Sequence, residues 1–166
     1  MKSATPSDVS LCMENNWKEV RVPWGAGCAA RYRIRWSAGR VEVCHAFYRT
    51  PSDPPDTPAW QDPQRLSAAE FAQKFGAHVL SVGRAIGAPS PYLTDALGAH
   101  LARVLGARGT FEITCGAVPG APEASFYEAM ATEQGCAPDA TPCVATARHA
   151  TELQALERLA RFLGAL

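Results

Sequence analysis

Three histidines hold the densest chemistry in this chain. His78 lies three residues after Phe75 and four before Val82, and His100 lies three after Leu97 and four before Val104. Each therefore sits on the apolar stripe of a helix-length segment. His45 alternates in phase with Val41 and Val43, which puts it on the inner face of a strand. Three imidazoles on one interior could hold zinc and leave a fourth position for water, the arrangement of a catalytic metal site. Two neutral imidazoles could instead pass protons. Glu112, Glu133 and Cys115 are the candidate catalytic partners, the carboxylates as proton carriers and the thiol as a nucleophile near a strand end. The plainer reading gives each histidine a hydroxyl or carbonyl partner at the rim of the core, since Tyr32 stands opposite His45 and Ser81 follows His78.

Two other constellations stand out. Cys136, Cys143 and His149, with Cys115 as a fourth ligand, have zinc-binding chemistry. Their separations of six and five intervening residues match no compact ligand knuckle, so separate buried thiols are expected. Arg31, Arg33 and Arg35 share one face of a strand, with Arg40 and Arg49 extending it. Guanidiniums so placed could take phosphate, an acidic peptide or RNA, although a solvated outer face reads the same way. Cys44 adjoins His45, but strand neighbours point to opposite faces and cannot pair directly.

The elements that carry these residues are legible. Ala30 to Trp36 and Arg40 to Tyr48 alternate as two strands. A two-residue loop at Ala38-Gly39 pairs Trp36 with Val41, Ile34 with Val43, Tyr32 with His45 and Arg35 with Glu42. A three-residue loop would oppose arginines to valines. Trp17 to Val22 is a shorter strand before them. Pro51 to Pro63 holds five prolines and three aspartates in thirteen residues, which predicts an extended surface loop outside any ladder, pinned by Trp60. The spacing then predicts one helix from Ser67 to Gly87 and another starting at the N-cap Ser90, running to about Gly106. Both histidines fall about 14 Å from the corner between them, level on antiparallel neighbours. Thr110 to Val118 is a strand. Pro122 to Gln134 reads as a helix, or over Ser125 to Thr132 as a strand. Pro142 to Arg148 is a strand, and a helix starts at Thr151 with Leu153, Leu156 and Leu159 inward.

With Ser125 to Thr132 as a strand, the middle of the chain reads ββααββ. That order resembles the tunnelling fold of pterin- and purine-handling enzymes, and Leu93 to Cys115 is similar to the helix-to-strand passage of GTP cyclohydrolases. The resemblance covers about twenty residues, and the metal-binding and catalytic motifs of that family are absent, so no residue role carries over.

Sixteen basic and sixteen acidic residues cancel over 166 positions, so no overall field draws the chain to nucleic acid or an anionic membrane. No apolar run reaches the roughly 20 residues of a membrane span, and Met1 to Cys12 is not a secretory signal. The six cysteines are expected to be free in the cytoplasm. The fold expected is α+β in two layers, a mainly antiparallel sheet with an antiparallel helix pair on one face, as a single domain over 15–166 after a flexible tail over 1–14. The function expected is that of a cytoplasmic binding or accessory protein for a protein or small-molecule partner, with neither membrane nor nucleic acid as partner. The alternative is a small metal-assisted enzyme with zinc on His45, His78 and His100, a tunnelling-fold relative acting on a heterocycle being its special case.

Overall fold

Lys18–Gly25 (β1), Cys28–Ser37 (β2) and Arg40–Phe47 (β3) form an antiparallel meander in the computed structural model, which describes residues 16–25, 28–47, 58–133 and 143–166. The β2–β3 register is the one the alternation requires: Trp36 faces Val41, Ile34 faces Val43, Tyr32 faces His45 and Arg35 faces Glu42. Ala38 and Gly39 both take positive φ, 49° and 76°, the mark of a type I′ turn whose twist matches the strands. Ile34 and Val41 are fully buried and Val43 nearly so.

The segment after β3 differs from expectation. Ala59–Trp60 (β4) pairs with Ala46 and Phe47, and Gln64–Leu66 (β5) pairs with Val41 to Val43. Pro58 and Pro63 flank β4 instead of occupying it, so the paired positions keep their N–H donors and pairing with β3 is found on both sides of Pro63. The tail over 1–14, Arg49, residues 51–57 of the proline-rich region and Cys136 lie outside the described residues.

The predicted helix from Ser67 to Gly87 is broken. Ala68–Phe75 (α1) ends in a 3₁₀ turn at Gly76–His78, and Val79–Ala85 (α2) follows. Gly76 has φ +51°, a left-handed conformation that a side chain makes costly. Ser90–Leu105 (α3) starts one residue earlier than expected: Pro89 is the N-cap and the Ser90 side chain does not cap the helix. Arg103 Nη1 donates to the carbonyls of Ala72 and Gln73, both at 3.4 Å, tying α3 to α1. Gly83 lets α2 and α3 approach, since a Cβ there would meet Leu93 Cδ2.

Gly109–Val118 (β6), Ala121–Glu133 (β7) and Cys143–His149 (β8) form a second antiparallel sheet in that order, and Glu152–Phe162 (α4) closes the described chain. The open choice over Pro122 to Gln134 falls to strand. Ala129 and Ala131 are the small, buried inward residues of β7, while Met130 and Glu128 alternate to the other side. α3 and α4 lie on the side of Ala129, where the Phe111 ring comes within 3.4 Å of the place a Gly98 Cβ would take. Thr151 caps α4 by accepting from Gln154 N, and Leu156 and Leu159 are essentially fully buried beneath it, each worth about 2 kcal/mol of burial.

The class is therefore α+β, antiparallel sheets with packed helices on a face. The strands before and after the helices belong to separate sheets, so the ββααββ order does not build one continuous ladder. The chain gathers into two compact units. One runs through Ser67 and includes Arg84–Ala88; the other holds Ala68–Gly83 and Pro89–Leu166.

The break in the helix yields a test. Gly76→Ala must hold a Cβ in a left-handed conformation, and it is expected to cost about 1–2 kcal/mol of stability, read as a lower denaturant midpoint at unchanged m. An unchanged or raised midpoint would mean that the helix runs straight through this position.

Candidate functional site: an arginine and tryptophan face

The 3₁₀ turn rotates His78 off the stripe that the uninterrupted spacing assigned to it. The residue is exposed, and its backbone carbonyl accepts from the Ser81 hydroxyl at 3.0 Å. His100 stays inside, 7% exposed, with Nε2 2.7 Å from the Ala165 carbonyl and Nδ1 buried without a partner. The short contact makes Nε2 the donor, so the imidazole pins the C-terminal turn after α4, where Ala165 N donates back to Ala160 O at 2.8 Å. His45 holds its place opposite Tyr32 with stacked rings, centroids 5.0 Å apart, but is exposed. His45, His78 and His100 thus form no ligand set. Among the described residues no three His, Cys, Asp or Glu side chains gather closely enough for a metal ion.

The other candidates are scattered as well. Glu112, Glu133 and Cys115 are exposed on β6 and β7, and β pairing sets Cys115 opposite Tyr127. His149 Nδ1 accepts from Ala150 N at 2.9 Å, so that nitrogen is engaged locally. Cys115 and Cys44 are free thiols. Burial raises the Cys44 pKa, Arg33 and Arg35 pull it down, Glu42 and Asp62 push it up, and the net direction is upward. A thiol held in its neutral form is a poor nucleophile.

What the fold does assemble lies on the outer face of the first sheet. Arg31, Arg33 and Arg35 alternate along β2 away from Ile34. Register places Glu19 and Arg21 beside them on β1, Glu42 and Cys44 on β3, and Arg65 on β5. The paired positions of this face carry six arginines (Arg21, Arg31, Arg33, Arg35, Arg40 and Arg65) and two glutamates (Glu19 and Glu42), an excess of four positive charges on a chain that is neutral overall. Sequence reading found the arginine row and missed the aromatic partners. The Arg33 guanidinium lies 4.7 Å from the Trp60 ring centroid, and that of Arg35 lies 4.4 Å from the Trp17 centroid. Trp60 comes from the strand that the prolines seemed to forbid, so no local pattern announced it.

The carboxylates organise the row. Arg31 grips Glu19 at 2.6 Å. Glu42 is 7% exposed and held by Arg35 at 2.7 Å and by Arg65 at 3.4 Å. A carboxylate so far from water keeps its charge only with close partners. The geometry suits anion recognition: a guanidinium seated over an aromatic ring is held in place, and its N–H edge matches a carboxylate or phosphate.

No family model matches this chain, and none of the curated proteins compared with it matches. Among solved structures it is similar to a chain of "Crystal structures of trypanosoma bruciei MRP1/MRP2", at 15% identity over 98% of this chain and 93% of that one, with a TM-score of 0.25. A superposition at that score carries no argument about fold or function. No helix among the described residues is long and apolar enough to cross a membrane.

The two arginines on Glu42 are unequal. Arg35 is 18% exposed and close, whereas Arg65 is 65% exposed and distant. Arg35→Ala is expected to cost about 2–3 kcal/mol by leaving a buried carboxylate half-paired, and Arg65→Ala under about 1 kcal/mol, both read by denaturant titration. Equal costs would refute the inner role given to Arg35. His100→Ala removes the donor to a buried carbonyl and is expected to cost about 2–3 kcal/mol and to speed amide exchange at Ala165, while leaving zinc without effect on either quantity.

Proposed function

We propose that this chain is a binding protein that receives an acidic segment of a partner protein across the outer face of its first sheet. Arg31, Arg33 and Arg35 form the central row. The observation that carries this reading is the stacking of Arg33 on Trp60 and of Arg35 on Trp17. A long arginine side chain ordinarily loses rotamer freedom when it binds. Here the rings hold the planes beforehand, so less of the interaction energy goes into ordering.

Arg33 is the contact centre. It is exposed, it lies in mid-strand opposite Cys44 and Glu19, and its neighbours are committed to Glu19 and Glu42. Two carboxylates within the face already set a pattern of alternating charge, which favours a partner with spaced carboxylates and some cationic or neutral positions over a uniform polyanion. The zero net charge of the chain points the same way, because phosphate backbones are captured mainly through a strong positive field.

Binding of a labelled Glu/Asp-rich peptide to the purified protein tests the reading, by fluorescence anisotropy at two salt concentrations. Arg33→Glu is expected to weaken binding at least roughly tenfold, and Arg33→Lys, which keeps the charge but loses the stacked plane, by several-fold. Affinity is expected to fall with added salt. If peptide binding ignores both substitutions, this face is not the site. If a single-stranded oligonucleotide binds more tightly and through Arg33, the partner class is wrong.

A further inference from the structure

A second surface lies on the unit built around the β6–β8 sheet. β8 is the end strand of that sheet, and among the described residues no strand pairs with its other side. Between this edge and α4 runs a groove of about 590 Å³, lined by Thr146, Ala147 and Arg148 of β8 and by Arg158, Arg161 and Phe162 of α4. Half of the lining residues are arginines, and none is acidic. Phe162 is 76% exposed and Val144, one alternation along the edge from Thr146, is 58% exposed. The arginines are set by local contacts: Arg148 lies 5.1 Å from the Phe126 ring centroid and 2.7 Å from Glu128, Arg161 is 2.8 Å from Glu157, and Arg158 Nη1 donates to the Arg148 carbonyl at 3.2 Å.

We propose that this groove is a strand-addition site: an extended partner peptide lies beside β8 as a fourth strand, with alternating acidic and apolar side chains. Main-chain hydrogen bonds to the β8 edge supply affinity without regard to sequence, and the wall formed by α4 supplies the selection. The period of two in an extended chain then sends acidic residues to Arg158 and Arg161 on the helix side, while apolar residues take the opposite face, the side of Val144. Charge complementarity commits the site to an acidic occupant. Its one-sided helical wall, against an open strand edge, commits it to an extended backbone. Arg158 Nη1 is held by the Arg148 carbonyl, which fixes the guanidinium while its other N–H groups can meet a carboxylate.

The site is separate from the outer face of the first sheet, so each can fail alone. The test uses the full chain and a synthetic peptide of about ten alternating Glu and Val residues, with two controls of the same charge that carry N-methyl groups on alternate backbone nitrogens, one set for each edge of the added strand. The parent peptide is expected to shift and protect amides of β8 in NMR spectra. The control methylated on the edge that faces β8 is expected to lose at least roughly tenfold in affinity, and the other to bind like the parent. Arg158→Glu/Arg161→Glu, both exposed positions, is expected to weaken the parent at least tenfold as read from the β8 amide shifts, while Arg33→Glu leaves that β8 response unchanged. Equal binding by both methylated controls, or no change at β8, overturns strand addition. Retention of affinity in the double variant overturns the acidic selection. Binding of a single-stranded oligonucleotide in place of the peptide overturns the assignment of a protein partner.

Discussion

The two-residue turn at Ala38-Gly39 governs the chemistry of the first sheet. Both residues take positive φ, and the turn admits one register. A shift by a single residue would set the arginines of β2 on the same face as the valines of β3, so that either the arginines would be buried or the valines would meet water. With the register fixed, Ile34, Val41 and Val43 are buried and the guanidiniums are left on the opposite face. Glu42 follows from the same constraint: it is placed opposite Arg35 and becomes a nearly buried anion that Arg35 and Arg65 must neutralise.

A comparable constraint acts at Gly76. Hydrophobic spacing continues across it, from Phe71 and Phe75 to Val79 and Val82, and all four are buried. The backbone nevertheless tightens into a 3₁₀ turn, which moves His78 out to solvent while Val79 returns to the interior. His100, on an unbroken helix, remains buried and spends its donor on the carbonyl of Ala165. The histidines had looked equivalent because each obeyed the same spacing rule. One glycine conformation separates them, and a buried hydrogen bond turns the remaining one into a structural latch.

Arginine against an aromatic ring recurs in both sheets. Arg33 and Arg35 lie on tryptophans, and Arg148 lies on Phe126, whose own ring rests where a Cβ of Gly116 would stand. Stacking fixes a flexible cation without consuming the N–H groups at its edge. In a chain with no net charge this gathers guanidinium groups at particular places on each sheet.

Sequence by itself determined the strands β1 to β3, the β2–β3 register, the helices around Leu97 and Leu156 and the outward arginine row. These are local matters, settled by periodicity, turn chemistry and capping within a few residues. Tertiary structure decided the rest. Pairing with β3 recruited Ala59–Trp60 and Gln64–Leu66 from a proline-rich stretch with no strand pattern of its own, and so supplied the ring under Arg33. Pairing with β6 and β8, under buried helices, made a strand of an Ala- and Glu-rich segment that is equally suited to a helix. Convergence of side chains from distant elements depends on such pairings and on single backbone kinks, which leave no periodic trace, so the sequence could place each histidine on a face but not bring the three together.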